Sequence, residues 1–166
     1  TLAIYRRLRE EGFDNVGVVL QAYMRRSMDD VRALADLKPN YRLCKGIYVE
    51  PEDVAIQDPE EINRNYLALL EAMLDGGSYV GIATHDRALV DSAEEVLRER
   101  KLPKDAYEFQ MLLGVDQTLG LRILESGHAL RIYVPFGEQW HAYCVRRLQE
   151  NPRIGRYVLQ GMFRRK

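Results

Sequence analysis

The stretch Tyr41-Arg-Leu-Cys-Lys-Gly-Ile-Tyr48 has the pattern of a short apolar strand whose carboxyl end carries two cations and a glycine. Four more short apolar runs occur along the chain, and a segment of helical periodicity follows each of the five. The predicted strands are 15–23, 41–48, 79–86, 107–115 and 129–135, and the predicted helices are 2–11, 29–37, 58–75, 89–100, 116–126 and 138–150. This alternation predicts an α/β fold built from βαβ units around a parallel sheet.

Local signals predict where several of these elements begin and end. Asp29 or Asp30 is expected to cap the second helix, whereas Asp58 followed by Pro59 predicts the start of the third. The pair Gly76-Gly77 is expected to end that third helix. The nearly continuous apolar run within 15–23 predicts a strand that is buried on both faces of the sheet.

Two architectures fit a parallel sheet, the doubly wound sheet and the (β/α)8 TIM-type barrel. No Gly-x-Gly-x-x-Gly motif follows any predicted strand, so the dinucleotide-binding fingerprint of the first is missing. Polar residues instead recur at the carboxyl ends of the strands, as in barrel active sites. These residues are Gln21, Lys45, Thr84, His85, Asp86, Gln110 and Tyr133.

The length of the chain allows only part of such a barrel. A closed barrel has eight strands and about 250 residues, whereas this chain has 166 residues. The sequence therefore predicts a single domain over 1–166 that forms a partial barrel, the last five of the eight βα units. The three N-terminal barrel strands are expected to precede Thr1.

Composition excludes several function classes. The formal net charge of -1 gives no bulk attraction to nucleic acid, so no nucleic-acid partner is predicted. No apolar run approaches the roughly 18 residues of a membrane-spanning helix. The two cysteines, Cys44 and Cys144, do not show metal-ligand spacing, and the histidines do not show it either, so no metal site is predicted. Two cysteines within apolar runs are expected to be reduced, which favours a reducing compartment.

Six motifs taken in order resemble the proline dehydrogenase family over nearly the whole chain. They are Val19-Leu-Gln-Ala-Tyr23, Arg42-Leu-Cys-Lys-Gly-Ile-Tyr48, Ala83-Thr-His-Asp86, Glu108-Phe-Gln110, Arg131-Ile-Tyr-Val-Pro-Phe-Gly137 and Tyr143-Cys-Val-Arg-Arg147. The resemblance implies an FAD-dependent (β/α)8 barrel that oxidises L-proline to Δ1-pyrroline-5-carboxylate by hydride transfer to flavin N5. Electrons would then pass to a quinone, in the pathway that converts proline to glutamate.

The resemblance also implies a location. It indicates the bacterial cytoplasm with peripheral association at the inner membrane, or the mitochondrial matrix if the source is eukaryotic. The chain departs from the family pattern at Cys44 and Ile47, where valine and alanine are more frequent, and at Asp86, where asparagine is frequent. The family also uses an aspartate and a lysine from its early strands, and no position here supplies them.

The resemblance implies that the substrate contacts come from the carboxyl-terminal third of the chain. Arg146 and Arg147 would grip the proline carboxylate, because a guanidinium binds a carboxylate through two parallel hydrogen bonds. Tyr143 would share one side of the same helix. Tyr133 and Leu112 would shape the pocket for the proline ring. The structural alternative is a surface pair in which Glu150 satisfies Arg146.

The flavin contacts would come from the earlier strands. The resemblance gives catalytic roles to Arg42, Tyr133, Arg146 and Arg147, with Arg42 near flavin N5 and Lys45 near the N1/C2 edge. Arg42 and Lys45 are three residues apart and would face opposite sides of a regular strand. A bulge or a strand end near Gly46 is therefore expected.

The same resemblance implies further contacts with the cofactor. Gln21, Cys44 through its backbone, Gly46, Thr84, His85, Asp86, Gln110 and Glu150 complete the predicted FAD-binding set. There is also a purely structural alternative for Arg42 and Lys45, in which these two cations pair with Glu50 or Glu52.

Two other functions stay open at this point. One is a non-catalytic partial barrel that serves as a structural module. The other is a different flavin-binding barrel, such as a folate reductase, although that would leave the Arg146-Arg147 pair together with Tyr133 unexplained.

Overall fold

The computed structural model describes residues 1–138 and Val145. Strands and helices alternate along the described chain as the sequence predicts. The elements are α1 (Leu2–Glu10), β1 (Gly17–Gln21), α2 (Ser27–Leu34), a 3-10 turn (Ala35–Leu37), β2 (Asn40–Cys44), α3 (Pro59–Asp75), β3 (Tyr79–Ala83), α4 (Arg87–Glu99), β4 (Tyr107–Leu112), α5 (Gln117–Glu125) and β5 (Leu130–Tyr133). The predicted last helix lies outside the described residues except at Glu138 and Val145.

The five strands form one parallel sheet in the order β1-β2-β3-β4-β5. Each strand pairs with the next strand along the chain, as expected when a helix carries the chain back between parallel strands. The parallel α/β prediction is confirmed. In the described residues β1 and β5 form the two edges of the sheet, and the barrel of eight units stays a prediction.

One face of this sheet, here called the helix face, is the core. Its side chains are all at most 5% exposed in the first four strands: Val18, Leu20, Tyr41, Leu43, Val80, Ile82, Tyr107, Phe109 and Met111. They form one apolar cluster with buried helical residues such as Leu70 and Leu89. Helices cover this face because their own apolar stripes need a partner surface.

The opposite face, here called the polar face, is open to a greater degree. It carries the paired positions Val19, Arg42, Gly81 and Glu108 and, one step along, Gln21, Cys44, Ala83, Gln110 and Arg131. Val19 is 51% exposed although it lies within an apolar run. The prediction that the first strand is buried on both faces is therefore wrong, because the described helices pack against one face only.

Side-chain caps explain where three helices start. Asp58 accepts a hydrogen bond from the Glu61 amide at 2.7 Å, with Pro59 at the first helical position, as predicted. Asp86 and Asp116 cap α4 and α5 in the same way. Gly76 and Gly77 end α3, also as predicted.

The predicted cap of α2 is wrong. This helix begins at Ser27, upstream of Asp29 and Asp30, and has no side-chain cap. Asp30 instead pairs with Arg26 at 2.8 Å, while the Ser27 hydroxyl donates to the carbonyl of Gln21 at 2.6 Å. The serine thereby fixes the helix to the end of β1.

All five predicted strands run past the observed carboxyl ends, including the first, which is predicted to reach Tyr23 and ends at Gln21. β2 ends at Cys44, β3 at Ala83, β4 at Leu112 and β5 at Tyr133. Lys45, Thr84, His85 and Asp86 therefore belong to loops that follow the strands. Among residues 1–138 and Val145, no helix is long and apolar enough to cross a membrane.

Candidate active site at the carboxyl edge of the sheet

The carboxyl ends of parallel strands meet at one edge of a sheet, and most of the predicted site residues lie there. Gln21, Leu112 and Tyr133 are the last residues of their strands, and Lys45 and Thr84 immediately follow theirs. The structure thus brings the candidate residues of all five strands to a common edge.

A row of polar side chains crosses the polar face behind this edge. Arg42 on β2 donates from Nε to Oε1 of Gln110 at 2.8 Å, although β3 lies between their strands. Gln110 donates in turn from Nε2 to Oε1 of Glu108 at 2.8 Å. Arg131 on β5 donates from Nε to the same carboxylate oxygen. Four side chains from three strands are therefore joined.

Glu108 is an ionised carboxylate within this row. It is only 7% exposed, and burial by itself would raise the pKa of its carboxyl group. Hydrogen bonds from Arg131 and Gln110, the charge of Arg131 and an interaction with Tyr79 outweigh burial and lower that pKa. The carboxylate is consequently charged at neutral pH and acts only as an acceptor.

The second cation, Lys45, pairs across the edge. Its Nζ lies 2.9 Å from Oδ2 of Asp86, and both side chains are about a third exposed, at 32% and 30%. The other oxygen, Oδ1, accepts from the amides of Ala88 and Leu89 and so caps α4. Burial would raise the pKa of Asp86, but Lys45 and these amides lower it.

Arg42 and Lys45 do not pair with the glutamates of the purely structural alternative. Arg42 bonds to Gln110 and Lys45 bonds to Asp86, so the pairing with Glu50 or Glu52 is wrong.

A strand end rather than a bulge separates Arg42 from Lys45. β2 stops at Cys44, and the amide of Tyr23 then donates to the carbonyl of Lys45 at 2.8 Å. Gly46 follows with φ +112°, a conformation that favours glycine. A Cβ there would lie 2.1 Å from Cδ1 of Tyr23. The predicted strand end near Gly46 is confirmed, and the missing side chain of Gly46 makes room for the Tyr23 ring.

His85 is a neutral imidazole at this edge. Its Nε2 accepts a hydrogen bond from the Leu112 amide at 2.9 Å, which leaves the proton on Nδ1. Burial lowers the pKa of His85 to about 4, and the nearby charge of Arg42 acts in the same direction while that of Asp116 opposes it. His85 therefore ties the loop after β3 to the end of β4.

Three further candidates, Thr84, Cys44 and Tyr133, also lie at this edge. Thr84 is buried, and its hydroxyl accepts from the Asp86 amide at 3.1 Å. Cys44 is a free thiol that donates to the Leu20 carbonyl, and burial raises its pKa. Its own carbonyl accepts from Ala22 at 2.7 Å. Tyr133 is 48% exposed and stands beside Leu112 on the polar face.

Four predicted site residues lie outside the described residues: Tyr143, Arg146, Arg147 and Glu150. Their contacts with the edge remain predictions. Among residues 1–138 and Val145, no group of three or more His, Cys, Asp or Glu side chains could hold a metal ion.

Comparison with known families decides the relationship. The family model described as proline dehydrogenase matches residues 1–158. The chain belongs to the proline dehydrogenase family. "Proline dehydrogenase" of Deinococcus radiodurans is 41% identical over 165 residues, 99% of this chain and 53% of that protein. "Proline dehydrogenase 1" of Bacillus subtilis is 36% identical over 165 residues, 99% of this chain and 54% of that protein.

A solved structure has the same fold as this proline dehydrogenase family member. It is proline utilization A (PutA) from Bdellovibrio bacteriovorus inactivated by N-propargylglycine, with a TM-score of 0.79 and 29% identity. The match covers 90% of this chain and 18% of that one. The chain spans about half the length of the curated relatives it matches.

Sequence reasoning did not identify every residue of the candidate site in this member of the proline dehydrogenase family. The alternation along β4 places Glu108 and Gln110 on one face, which is a signal that could have found Glu108. Tyr79, Gly81 and Arg131 become neighbours of Glu108 only through the strand register, which no local pattern encodes.

Proposed function

We propose that this chain carries the flavin-facing part of an FAD-dependent proline dehydrogenase that oxidises L-proline to Δ1-pyrroline-5-carboxylate. The observation that carries the proposal is the meeting of Arg42, Lys45 and Gln110 at one edge of a parallel sheet, in a chain of this family. The names of the curated relatives support proline as the substrate.

The polar face fits a flavin ring. The small residues Gly81 and Ala83 leave room on this face for the Gln110 amide, which lies above Gly81, and the flavin ring would pack on the outer side of that amide. Gln21 and Gln110 carry amides that suit the alternating donors and acceptors of the ring. Arg42 and Lys45 would hold its electron-rich edge, and Thr84, His85 and Asp86 would flank the rest of FAD. When bound, the flavin supplies the acceptor for the hydride that leaves the substrate.

The residues of this chain have separate tasks in that reaction. Arg42 and Lys45 would stabilise negative charge on a bound flavin, because cations that are already fixed in place need no reorganisation. Asp86 moderates the charge of Lys45 through their ion pair. His85, neutral at physiological pH, accepts from the Leu112 amide through Nε2 and thereby orders the edge.

The substrate would be held from the other side of the edge. Tyr133 and Leu112 are neighbours on the polar face and would contact the proline ring. Arg146 and Arg147 would bind the carboxylate and Tyr143 would complete the pocket, which the resemblance supports. These contacts fix the orientation in which the reacting carbon faces the acceptor.

Further properties of the whole protein follow from the same resemblance. Quinone would accept the electrons, and peripheral contact with the inner membrane of a bacterial cell would give access to it. Additional strands would close the sheet into a barrel, since β1 and β5 are the edges of the described sheet.

Cofactor titration followed by substrate addition tests the proposal. The purified chain is titrated with FAD under flavin fluorescence, and L-proline is then added without oxygen. We expect saturable FAD binding and loss of the visible flavin absorbance with L-proline but not with D-proline. N-propargylglycine, like proline a secondary-amine amino acid, should inactivate the chain as it does the Bdellovibrio protein. Absence of FAD binding would favour the structural module instead.

A further inference from the structure

We propose that Glu108 is a positioning residue for Arg42 and that it acts through the side-chain amide of Gln110. The proposal rests on the proposed function, in which Arg42 faces the flavin. Glu108 contributes no atom to the reaction and would decide instead how the guanidinium of Arg42 is presented.

The first step of the argument concerns the orientation of the Gln110 amide. Its Nε2 donates to Oε1 of Glu108 and its Oε1 accepts from Nε of Arg42, each at 2.8 Å. Glu108 is a carboxylate that can only accept, and Arg42 is a guanidinium that can only donate. The reversed amide would place oxygen against the carboxylate and N–H groups against the cation. The charge on Glu108 therefore selects one orientation of the amide.

The second step concerns the route of the contact. In the strand register Gly81 stands directly between Arg42 and Glu108. A Cβ at Gly81 would lie 2.3 Å from Nε2 and 2.8 Å from Cδ of Gln110, so any side chain there would displace the amide. The absence of a side chain on β3 lets Arg42 and Gln110 meet across that strand.

The third step concerns what is left for a ligand. The bond to Gln110 uses Nε of Arg42, whereas neither terminal nitrogen has a hydrogen bond to residues 1–138 or Val145, so both could meet acceptor atoms of the cofactor. Fixing Nε fixes the plane of the guanidinium, since the group is rigid. A bound cofactor then meets a cation that is already ordered, and less conformational entropy is lost on binding.

A readout without cofactor tests the positioning directly. Hydrogen exchange of the Arg42 Nε–H is followed by NMR, with Arg42→Lys used to assign its signal. We expect Glu108→Gln to accelerate this exchange by roughly tenfold, because the amide of Gln110 loses its fixed orientation. Gly81→Ala should do the same while leaving every charge in place. Unchanged exchange in both variants would overturn the proposal.

Arg131→Met is the matched control. Arg131 is the other partner of Glu108, with a side chain that is 66% exposed. If Glu108 served only as a counterion for Arg131, Arg131→Met and Glu108→Gln would have the same effect on the Arg42 signal. We expect Arg131→Met to leave that signal protected, and loss of protection in this variant would count against the proposal.

The consequence for the cofactor is measured by FAD titration of the same variants. Glu108→Gln should raise the FAD dissociation constant by roughly three- to tenfold in the parent chain. In a Gln110→Leu background the same change should add less than about twofold, because the connection is already cut. Full additivity would overturn the role of Gln110. Failure of the parent chain to bind FAD would refute the proposed function, and the NMR result would still decide the positioning.

Discussion

Asp86 shows how one residue can serve the fold and the site at once. Its Oδ1 caps α4, and its Oδ2 holds Lys45 at 2.9 Å. The sequence motif predicts a cofactor contact at this position, whereas the structure gives both carboxylate oxygens to partners within the protein. The carboxylate therefore lowers the positive potential that Lys45 offers to a ligand.

Asp86→Asn should separate these two tasks. Asparagine caps helices as well as aspartate does, so the free energy of unfolding should fall by less than about 1 kcal/mol. The released charge of Lys45 should lower the FAD dissociation constant several-fold, as measured by fluorescence titration. Asp86→Ala is the control, because it also loses the cap and should cost about 1 kcal/mol in urea unfolding. Weaker FAD binding by Asp86→Asn would show that the carboxylate contacts the cofactor directly.

His85 should make the stability of the chain depend on pH. Its pKa is lowered from 6.5 to about 4 by burial, so the unfolded chain binds more protons between these values. The neutral His85 therefore contributes on the order of 3 kcal/mol to the free energy of unfolding above pH 6.5, and this contribution is lost as pH falls to about 4.

The expected outcome is a smaller loss of stability on acidification when His85 is replaced by glutamine, which keeps an acceptor for the Leu112 amide but does not titrate. Urea unfolding at about pH 7.5 and about pH 5 measures it for both chains. If the free energy of unfolding depended on pH equally in the parent chain and in His85→Gln, a lowered pKa of His85 would be contradicted.

Arg147 carries a prediction that rests on the family resemblance. Replacing it with methionine removes a charge-assisted contact to the substrate carboxylate worth roughly 2–4 kcal/mol in a desolvated site. The KM for L-proline should then rise by one to several orders of magnitude, as measured by steady-state kinetics in the complete enzyme. Arg153→Met serves as a control arginine outside the predicted site. A KM equal to that of the parent protein would refute the role of Arg147.

At the scale of elements, the sequence predicts type and order better than it predicts ends. The alternation of five strands with helices is confirmed in the described residues, because periodicity and glycine or proline signals are local. The sequence predicts strands that extend to Tyr48 and Val115, yet neither residues 45–48 nor residues 113–115 belong to a strand. Where pairing stops depends on the neighbouring strands, which lie far away in sequence.

The candidate site shows the same division. The polar strand ends predict a common edge because all parallel strands point the same way, and Gln21, Lys45, His85 and Tyr133 do lie there. The partner of each residue could not be predicted. The bond between Arg42 and Gln110 crosses β3 and depends on a register and on a glycine that no motif singles out.

The third helix offers a test of a single cap. The Asp58 side chain caps α3, where it accepts from the Glu61 amide at 2.7 Å. Asp58→Ala should lower the free energy of unfolding by about 1 kcal/mol, while Asp58→Ser should cost only a few tenths. Urea unfolding gives both values. Equal losses in the two variants would mean that the charge near the helix start, rather than the cap, stabilises α3.

At the scale of the whole molecule, the two faces of the sheet differ in what they do. The helix face is closed by side chains of α3 and α4 and provides most of the buried apolar contacts. The polar face carries the charged row and the exposed Val19. The proposed function therefore places ligand binding on the side of the sheet opposite to the one that holds the apolar core.

This separation predicts unequal costs for similar truncations on the two faces. Leu43 on β2 is 0% exposed and lies on the helix face, so Leu43→Ala should cost about 2–5 kcal/mol. Val19 on the adjacent strand is 51% exposed on the polar face, and Val19→Ala should cost less than about 1 kcal/mol. Urea unfolding with unchanged m-values would measure the difference. A comparable cost at Val19 would mean that a second surface covers the polar face in solution. In that case, sedimentation at two protein concentrations would show whether the surface belongs to another copy of the chain.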